Sequence, residues 1–192
     1  MSNGFFFTRP LHGDAVLVPS TPAIAEPYYA ALAANQPRFA RWEPWAAQPP
    51  EPEGTRTFLE QTAAAWQNGT ALPVAIAVPG PDGAWAVVGS IGLRIDRTSG
   101  TAELGYWVDA AHEGRGLVRR GAEAVLAQAF GPLGLSRVRL GAAADNERSR
   151  ALAERLGFTF DEVVPGGLEF ADGPRDRALY HLTAEEWAAR RG

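Results

Sequence analysis

Residues 101 to 131 leave the chain little freedom. Thr101 to Val108 (TAELGYWV) is apolar, aromatic and short enough to be a single strand. Leu117, Val118, Ala122, Val125, Leu126, Ala129 and Phe130 recur at i, i+3, i+4 spacing, which predicts an amphipathic helix. Between them lies Glu113-Gly-Arg-Gly-Leu-Val-Arg119, a glycine-bearing turn at the helix start. Glycines let the backbone approach a ligand closely, and the unpaired N–H groups of a first helical turn lie at the positive end of its dipole. Arg115, Arg119 and Arg120 add fixed positive charge. Strand, turn and helix start together suit a pyrophosphate. Two other readings stay open: glycines that serve only the turn, and a dinucleotide-binding turn on Gly114, Gly116 and Gly121. The second fits poorly, because the spacing is not G-x-G-x-x-G and the strand lies in mid-chain.

The flanking sequence alternates strands and helices. Ala15 to Pro19 reads as a short strand, with Phe5-Phe-Phe7 packing or pairing nearby. Ser20 or Thr21 caps a helix that has Pro22 in its first turn and runs to about Ala34. The prolines and aromatics of Asn35 to Trp45 argue against continuing it. Gln48 to Gly54 reads as a proline-rich loop, and Thr55 opens a second helix to about Asn68. Strands at Leu72–Val78 and Trp85–Ile95 flank the turn Pro79-Gly-Pro-Asp-Gly83. Arg137 to Gly141 is expected to run parallel to the strand at 101, because a strand–helix crossover separates them. A helix over 146–156, a strand over 157–163, a loop at Pro165-Gly-Gly167, a strand near Arg177–Leu182 and a helical cap from Thr183 complete a mixed α/β sheet flanked by helices. No internal repeat is evident, and 192 residues suit one domain spanning the chain, 1–192.

Composition narrows the chemistry. Apolar content of 46% and charged content of 21% are those of a globular protein. The absence of cysteine excludes disulfides, zinc–thiolate sites and a covalent thiol intermediate. Three scattered histidines give no metal-ligand pattern. A net charge of −4 offers no general attraction to nucleic acid or anionic membranes. No segment approaches the ~20 apolar residues of a membrane span, and the first residues lack a basic region, so a soluble cytoplasmic protein is expected. All 18 basic residues are arginine, which a GC-rich coding sequence explains together with the abundant Ala, Gly and Pro.

The run Glu103-Leu-Gly-Tyr-Trp-Val-Asp109, followed by Glu113-Gly-Arg-Gly-Leu-Val118, resembles the acetyl-CoA-binding segment of the GNAT family of N-acetyltransferases. It is most similar to the branch that acetylates ribosomal-protein N-termini. The family pattern Gln/Arg-x-x-Gly-x-Gly/Ala stands here as Glu113-x-x-Gly116-x-Val118. Asp145-Asn146 and Leu156-Gly157-Phe158 extend the likeness, which covers residues 72 to 183 well and the first 70 loosely. It implies a mostly antiparallel central sheet with a parallel strand pair around the cofactor cleft, and a homodimer such as related enzymes often form.

The same resemblance implies acetyl transfer from acetyl-CoA to a primary amine by direct attack in a ternary complex. A protein or peptide α-amine is the favoured acceptor. A small amine (amino acid, polyamine or antibiotic) is the alternative, and so is an acyl-CoA-binding module without catalysis. Glu113, Gly114, Arg115, Gly116, Leu117, Val118 and Arg119 then form the cradle, with backbone N–H groups from Gly114 to Arg119 on the pyrophosphate. Trp107 and Val108 pair with the pantetheine arm, and the Val108 N–H faces the oxygen on which charge develops. Asn146 contacts the pantetheine, while Ser149, three residues later, hydrogen-bonds the departing sulfur and serves as general acid. Read locally, the same Asp145, Asn146 and Ser149 are a helix cap.

For the base, Glu169 matches a glutamate of the ribosomal-protein branch, and Glu103 competes because alternation with Gly105 and Trp107 points it at the substrate groove. A terminal α-amine has a pKa near ~8, so a carboxylate can deprotonate it around neutral pH. Phe39, Trp42 and Trp45 are candidates for the acceptor wall and Arg41 for an anchor, with core packing the competing role. A peptide acceptor requires an open groove between residues 35–45 and 165–175; a small amine requires a closed pocket.

Overall fold

Every strand pair but one is antiparallel. The computed structural model describes residues 8–11, 13, 15–80 and 83–190; Phe5-Phe-Phe7 lies outside them. In chain order the strands are β1 (Arg9–Pro10), β2 (Val16–Pro19), β3 (Ala71–Pro79), β4 (Trp85–Asp96), β5 (Thr101–Val108), β6 (Arg137–Ala143), β7 (Thr159–Phe170) and β8 (Gly173–Thr183). The helices are α1 (Ala25–Ala40), α2 (Pro52–Gln67), α3 (Leu117–Phe130), α4 (Glu147–Leu156) and α5 (Ala184–Ala189). The strands make one sheet in the order β1-β2-β3-β4-β5-β6-β8-β7, and β5 with β6 is the parallel pair. This is the mixed, mostly antiparallel architecture expected.

Alternation along the central strands sorts the core into two layers. Val74, Ile76 and Val88 pack with Val118, Ala122 and Val125 of α3 and Ala153 of α4. Their neighbours Ala75 and Val87 pack with Tyr28 of α1 and Leu59 of α2. Successive side chains point to opposite faces, so helices cover both sides and β3 is buried almost throughout.

Four boundaries differ from the sequence reading, each for a physical reason. α1 does not stop at Ala34 but runs through Pro37 to Ala40. An interior proline costs about 3 kcal/mol. Offsetting contacts come from Phe39, buried 5.2 Å from the Trp107 ring, and from Gln36 Nε2, which donates to Ala46 O at 2.6 Å. α2 starts at Pro52, inside the apparent loop, because proline at the first helical position has no needed N–H to lose. β7 continues through Pro165-Gly-Gly167 to Phe170, and β8 starts at Gly173. A register shift between Val164 and Leu168 absorbs the extra residues, and the edge position of β7 tolerates the proline.

Candidate functional site

The parallel pair holds for only three residues: Thr101, Ala102 and Glu103 face Arg137, Val138 and Arg139. Beyond them β5 follows β4 to Val108, while β6 follows β8 to Ala143. A wedge opens between the two strands. Val108 faces Gly89 across β4, and the next residue, Asp109, donates its N–H to Val88 O at 2.8 Å. Val108 therefore belongs to a non-hydrogen-bonded pair, and its own N–H and C=O point into the wedge. Arg38 Nη2 donates to that carbonyl, leaving the N–H directed at a region no strand occupies. Asn35 Oδ1 also accepts from the Ala110 N–H at 3.1 Å, so the last turns of α1 dock on the end of β5.

The turn before α3 is built for an anion. Gly116 sits at the N-cap with φ 69 and ψ 13, the left-handed region that glycine reaches without strain. No side chain caps α3, and its first turn contains no acidic residue. The N–H groups of Leu117, Val118 and Arg119 therefore lack intrahelical acceptors. A Cβ on Gly116 would meet Arg120 Nη1 at 2.9 Å, and Arg120 Nη2 holds Arg115 O at 2.7 Å. The Leu117 and Val118 side chains are buried in the core, so these residues face a ligand through backbone alone. A valine can thus stand where the family pattern has Gly or Ala. The Glu113 carboxylate is paired with Arg38 and Arg148, which compensates a charge that would oppose phosphate. Arg119 pairs with Glu123 at 3.0 Å, while Gly114 and Arg115 are exposed. The turn and the wedge fit a ligand with a pyrophosphate and an extended amide arm.

A cleft of about 1030 Å³ runs from the wedge toward α1 and α2. Asn146 and Ser149 line its inner end with Tyr106 and Trp107. The Asn146 side chain caps α4 by accepting the Ser149 N–H at 3.1 Å, which fixes the serine's backbone. Ser149 Oγ lies 2.9 Å from the Tyr106 hydroxyl, whose pKa burial pushes up to about 12. Capping and presentation of the hydroxyl are thus achieved by the same residues. Trp107 packs edge-on to Tyr28 at 5.4 Å, and so serves the core as well as the cleft.

Phe39, Trp42 and Trp45 also line the cleft, Phe39 packing on Trp107. Trp45 and Phe58, 54% and 48% exposed, stand on its lining at the surface. Arg41 does not line the cleft: its guanidinium stacks on Trp42 at 4.6 Å, and its carbonyl accepts from Arg175 Nη1 at 2.8 Å. That bond bridges the two segments between which an open groove was sought. Glu103 faces the cleft but is held by Arg94 and Arg177, each at 2.6 Å. Glu169 is exposed at the end of the β7–β8 hairpin opposite Pro174, whereas its neighbour Leu168 lines the cleft. Glu169 itself is not part of the cleft lining.

Three residues of the site escaped the sequence reading: Arg38, Glu43 and Tyr106. Tyr106 had a signal, since it lies two residues before Val108 and shares its direction on the strand. Arg38 and Glu43 had none, because their partners are set by tertiary folding. Among the described residues no group of three or more metal-ligating side chains gathers, and no helix is long and apolar enough to cross a membrane.

Comparison with known proteins adds a family and its relatives. The acetyltransferase (GNAT) domain model matches residues 15–159. YdaF of Bacillus subtilis (strain 168), which carries the name of a ribosomal N-acetyltransferase, is 29% identical over 171 residues, 86% of this chain and 89% of its own. The crystal structure of the microcin C7 self-immunity acetyltransferase MccE, in complex with acetyl-CoA and AMP, superposes with a TM-score of 0.80 at 26% identity, covering 90% of this chain and 93% of that one. RimL, the ribosomal L7/L12 α-N-protein acetyltransferase, in complex with coenzyme A, shares the fold with a TM-score of 0.84 at 18% identity, covering 92% and 97%.

Proposed function

Since the chain belongs to the GNAT family and is an acetyl-CoA-dependent N-acetyltransferase, we propose that it acetylates the terminal α-amine of a peptide or protein. The observation that carries this reading is a single cleft of about 1030 Å³ whose lining includes both Ser149 and the exposed rings of Trp45 and Phe58. The ribosomal-protein names of similar proteins support it.

In this reading the α3 turn, from Glu113 to Arg119, holds the pyrophosphate through backbone N–H groups. The wedge edge of β5 holds the pantetheine arm, assisted by Asn146. The Val108 N–H lies where it can stabilise charge growing on the carbonyl oxygen. Ser149, oriented by Asn146 and Tyr106, donates a proton to the departing sulfur. Attack is direct, since the chain has no cysteine to carry an acyl group.

The Arg175 bridge to Arg41 favours a second reading, a small amine, because it ties together the two segments between which a peptide groove would have to open. A panel of peptides with free α-amines, polyamines, amino acids and amine-bearing antibiotics, assayed for CoA release and product mass, separates the two. Peptide acetylation confined to the α-amine is the expected result. Turnover of small amines with no peptide product would overturn the peptide reading in favour of the small-amine one.

A further inference from the structure

We propose that Glu43 is the base of this acetyl transfer, taking a proton from the acceptor's ammonium group inside the cleft that also holds Ser149. The proposal rests on the acetyltransferase reading but not on which amine is the acceptor. Glu43 lies three residues beyond the end of α1, where its N–H donates to Phe39 O at 2.8 Å and its carbonyl accepts the Ala46 N–H at 3.0 Å. Its backbone is thus fixed between α1 and the short 3₁₀ turn Pro44–Ala46. It stands at the cap position of that turn without capping it, so the side chain is free to enter the cleft. There Trp45 Nε1 donates to Oε2 at 3.0 Å, and Oε1 has no partner among the described residues.

The other two carboxylates are poorly placed for this task. Both Glu103 oxygens are engaged, Oε1 by Arg177 and Oε2 by Arg94, so a proton arriving there must displace an ion pair. Glu169 lies outside the cleft lining. The charged and titratable groups that bear on Glu43 are Arg177 of β8 and Glu103 and Tyr106 of β5. Burial pushes the Glu43 carboxyl above the ordinary range; the Trp45 hydrogen bond and Arg177 oppose this, and Glu103 adds to it. A carboxylate raised in this way is a stronger base, better matched to an amine near neutral pH. The rings of Phe39, Trp42 and Trp45 line the same cleft, a setting that favours a cation.

The protons balance without another reactant. The ammonium loses one proton to Glu43, and the freed lone pair forms the C–N bond as the C–S bond breaks. The nitrogen's second proton, lost as the amide forms, replaces the one that Ser149 gives to the departing sulfur, and Glu43 returns its own proton to water.

The test is Glu43→Gln, assayed with whichever amine the panel finds. The expected kcat/KM falls roughly 100-fold at neutral pH, within the range of general base catalysis, with calorimetric acetyl-CoA affinity unchanged. The rate recovers as pH approaches the amine's own pKa, and Glu43→Asp restores part of it. Turnover within about twofold of the parent with the same pH profile would overturn the proposal. Trp45→Phe, which removes the hydrogen bond favouring the anion while keeping an aromatic ring in the cleft wall, is expected to move the acidic limb of the profile to higher pH; an unmoved limb counts against Glu43. Independently of any acceptor, NMR titration of side-chain carboxyls, assigned by Glu43→Gln, is expected to show Glu43 ionising above the ordinary glutamate range. Ordinary ionisation would refute the assignment even if no amine reacted.

Discussion

The two halves of the proposed site are made from different materials. The half assigned to the cofactor is backbone: the wedge edge of β5 and the uncapped start of α3, within residues Val108 to Arg119. The half assigned to the acceptor is side chains, gathered from Phe39, Trp42, Glu43, Trp45, Phe58, Glu103, Leu168 and Arg177. An anion site formed by N–H groups survives side-chain drift, and Val118 buries its methyl groups without disturbing it. A pocket of side chains changes its acceptor with each replacement. The first half is therefore the more tolerant of sequence change and the second the more sensitive to it.

Substitutions can break that contrast, the largest effect first. Gly116→Glu forces a side chain into left-handed backbone, costing about 1–2 kcal/mol, and adds a negative charge where phosphate would lie. Acetyl-CoA affinity by calorimetry is expected to fall roughly 100-fold, since each 1.4 kcal/mol is tenfold, with circular dichroism unchanged. Ser149→Ala leaves affinity intact and lowers kcat by about tenfold or more, separating catalysis from binding. Tyr106→Phe removes the 2.9 Å contact to Ser149 and is expected to lower kcat by a few-fold, about one hydrogen bond's worth, with KM for acetyl-CoA little changed.

Two smaller effects sharpen the acceptor side. The folded pKa of Tyr106, about 12, lies above its unfolded value, so the unfolded chain loses this proton first as pH rises. Its contribution to stability is whole below pH ~10 and declines toward 12, and denaturant midpoints measured across that window should fall less steeply in Tyr106→Phe. Glu103→Gln removes a partly exposed ion pair and is expected to change kcat/KM by no more than about threefold. A loss of 100-fold would restore Glu103 as base.

What the sequence disclosed follows the same division. The strand at 101–108, the helix from 117 and the parallel partner at 137 were legible because period and chain crossover are local or topological rules. Asn146 and Ser149 were legible because a cap and its third residue lie in one turn. The ends of α1 and α2 were not, since proline's cost was weighed without Phe39 packing on Trp107 or the N1 allowance at Pro52. The position of Glu169 on the hairpin could not be read, because the register shift between Val164 and Leu168 resets which β7 residues face inward, and no local pattern announces such a shift. Glu43 stayed hidden because its environment comes from β5 and β8, more than fifty residues away.

The cations of the site, Arg38, Arg94, Arg148 and Arg177, are all guanidinium groups, in a chain without a single lysine. Guanidinium stays protonated at any pH at which the enzyme works, so it offers no lone pair to a thioester. A lysine in their place could trade its charge for an amide each time donor was bound and acceptor scarce. Built from arginine, the ion pairs that shape the cleft are inert to the reaction it hosts, and the enzyme cannot modify its own side-chain cations while it waits.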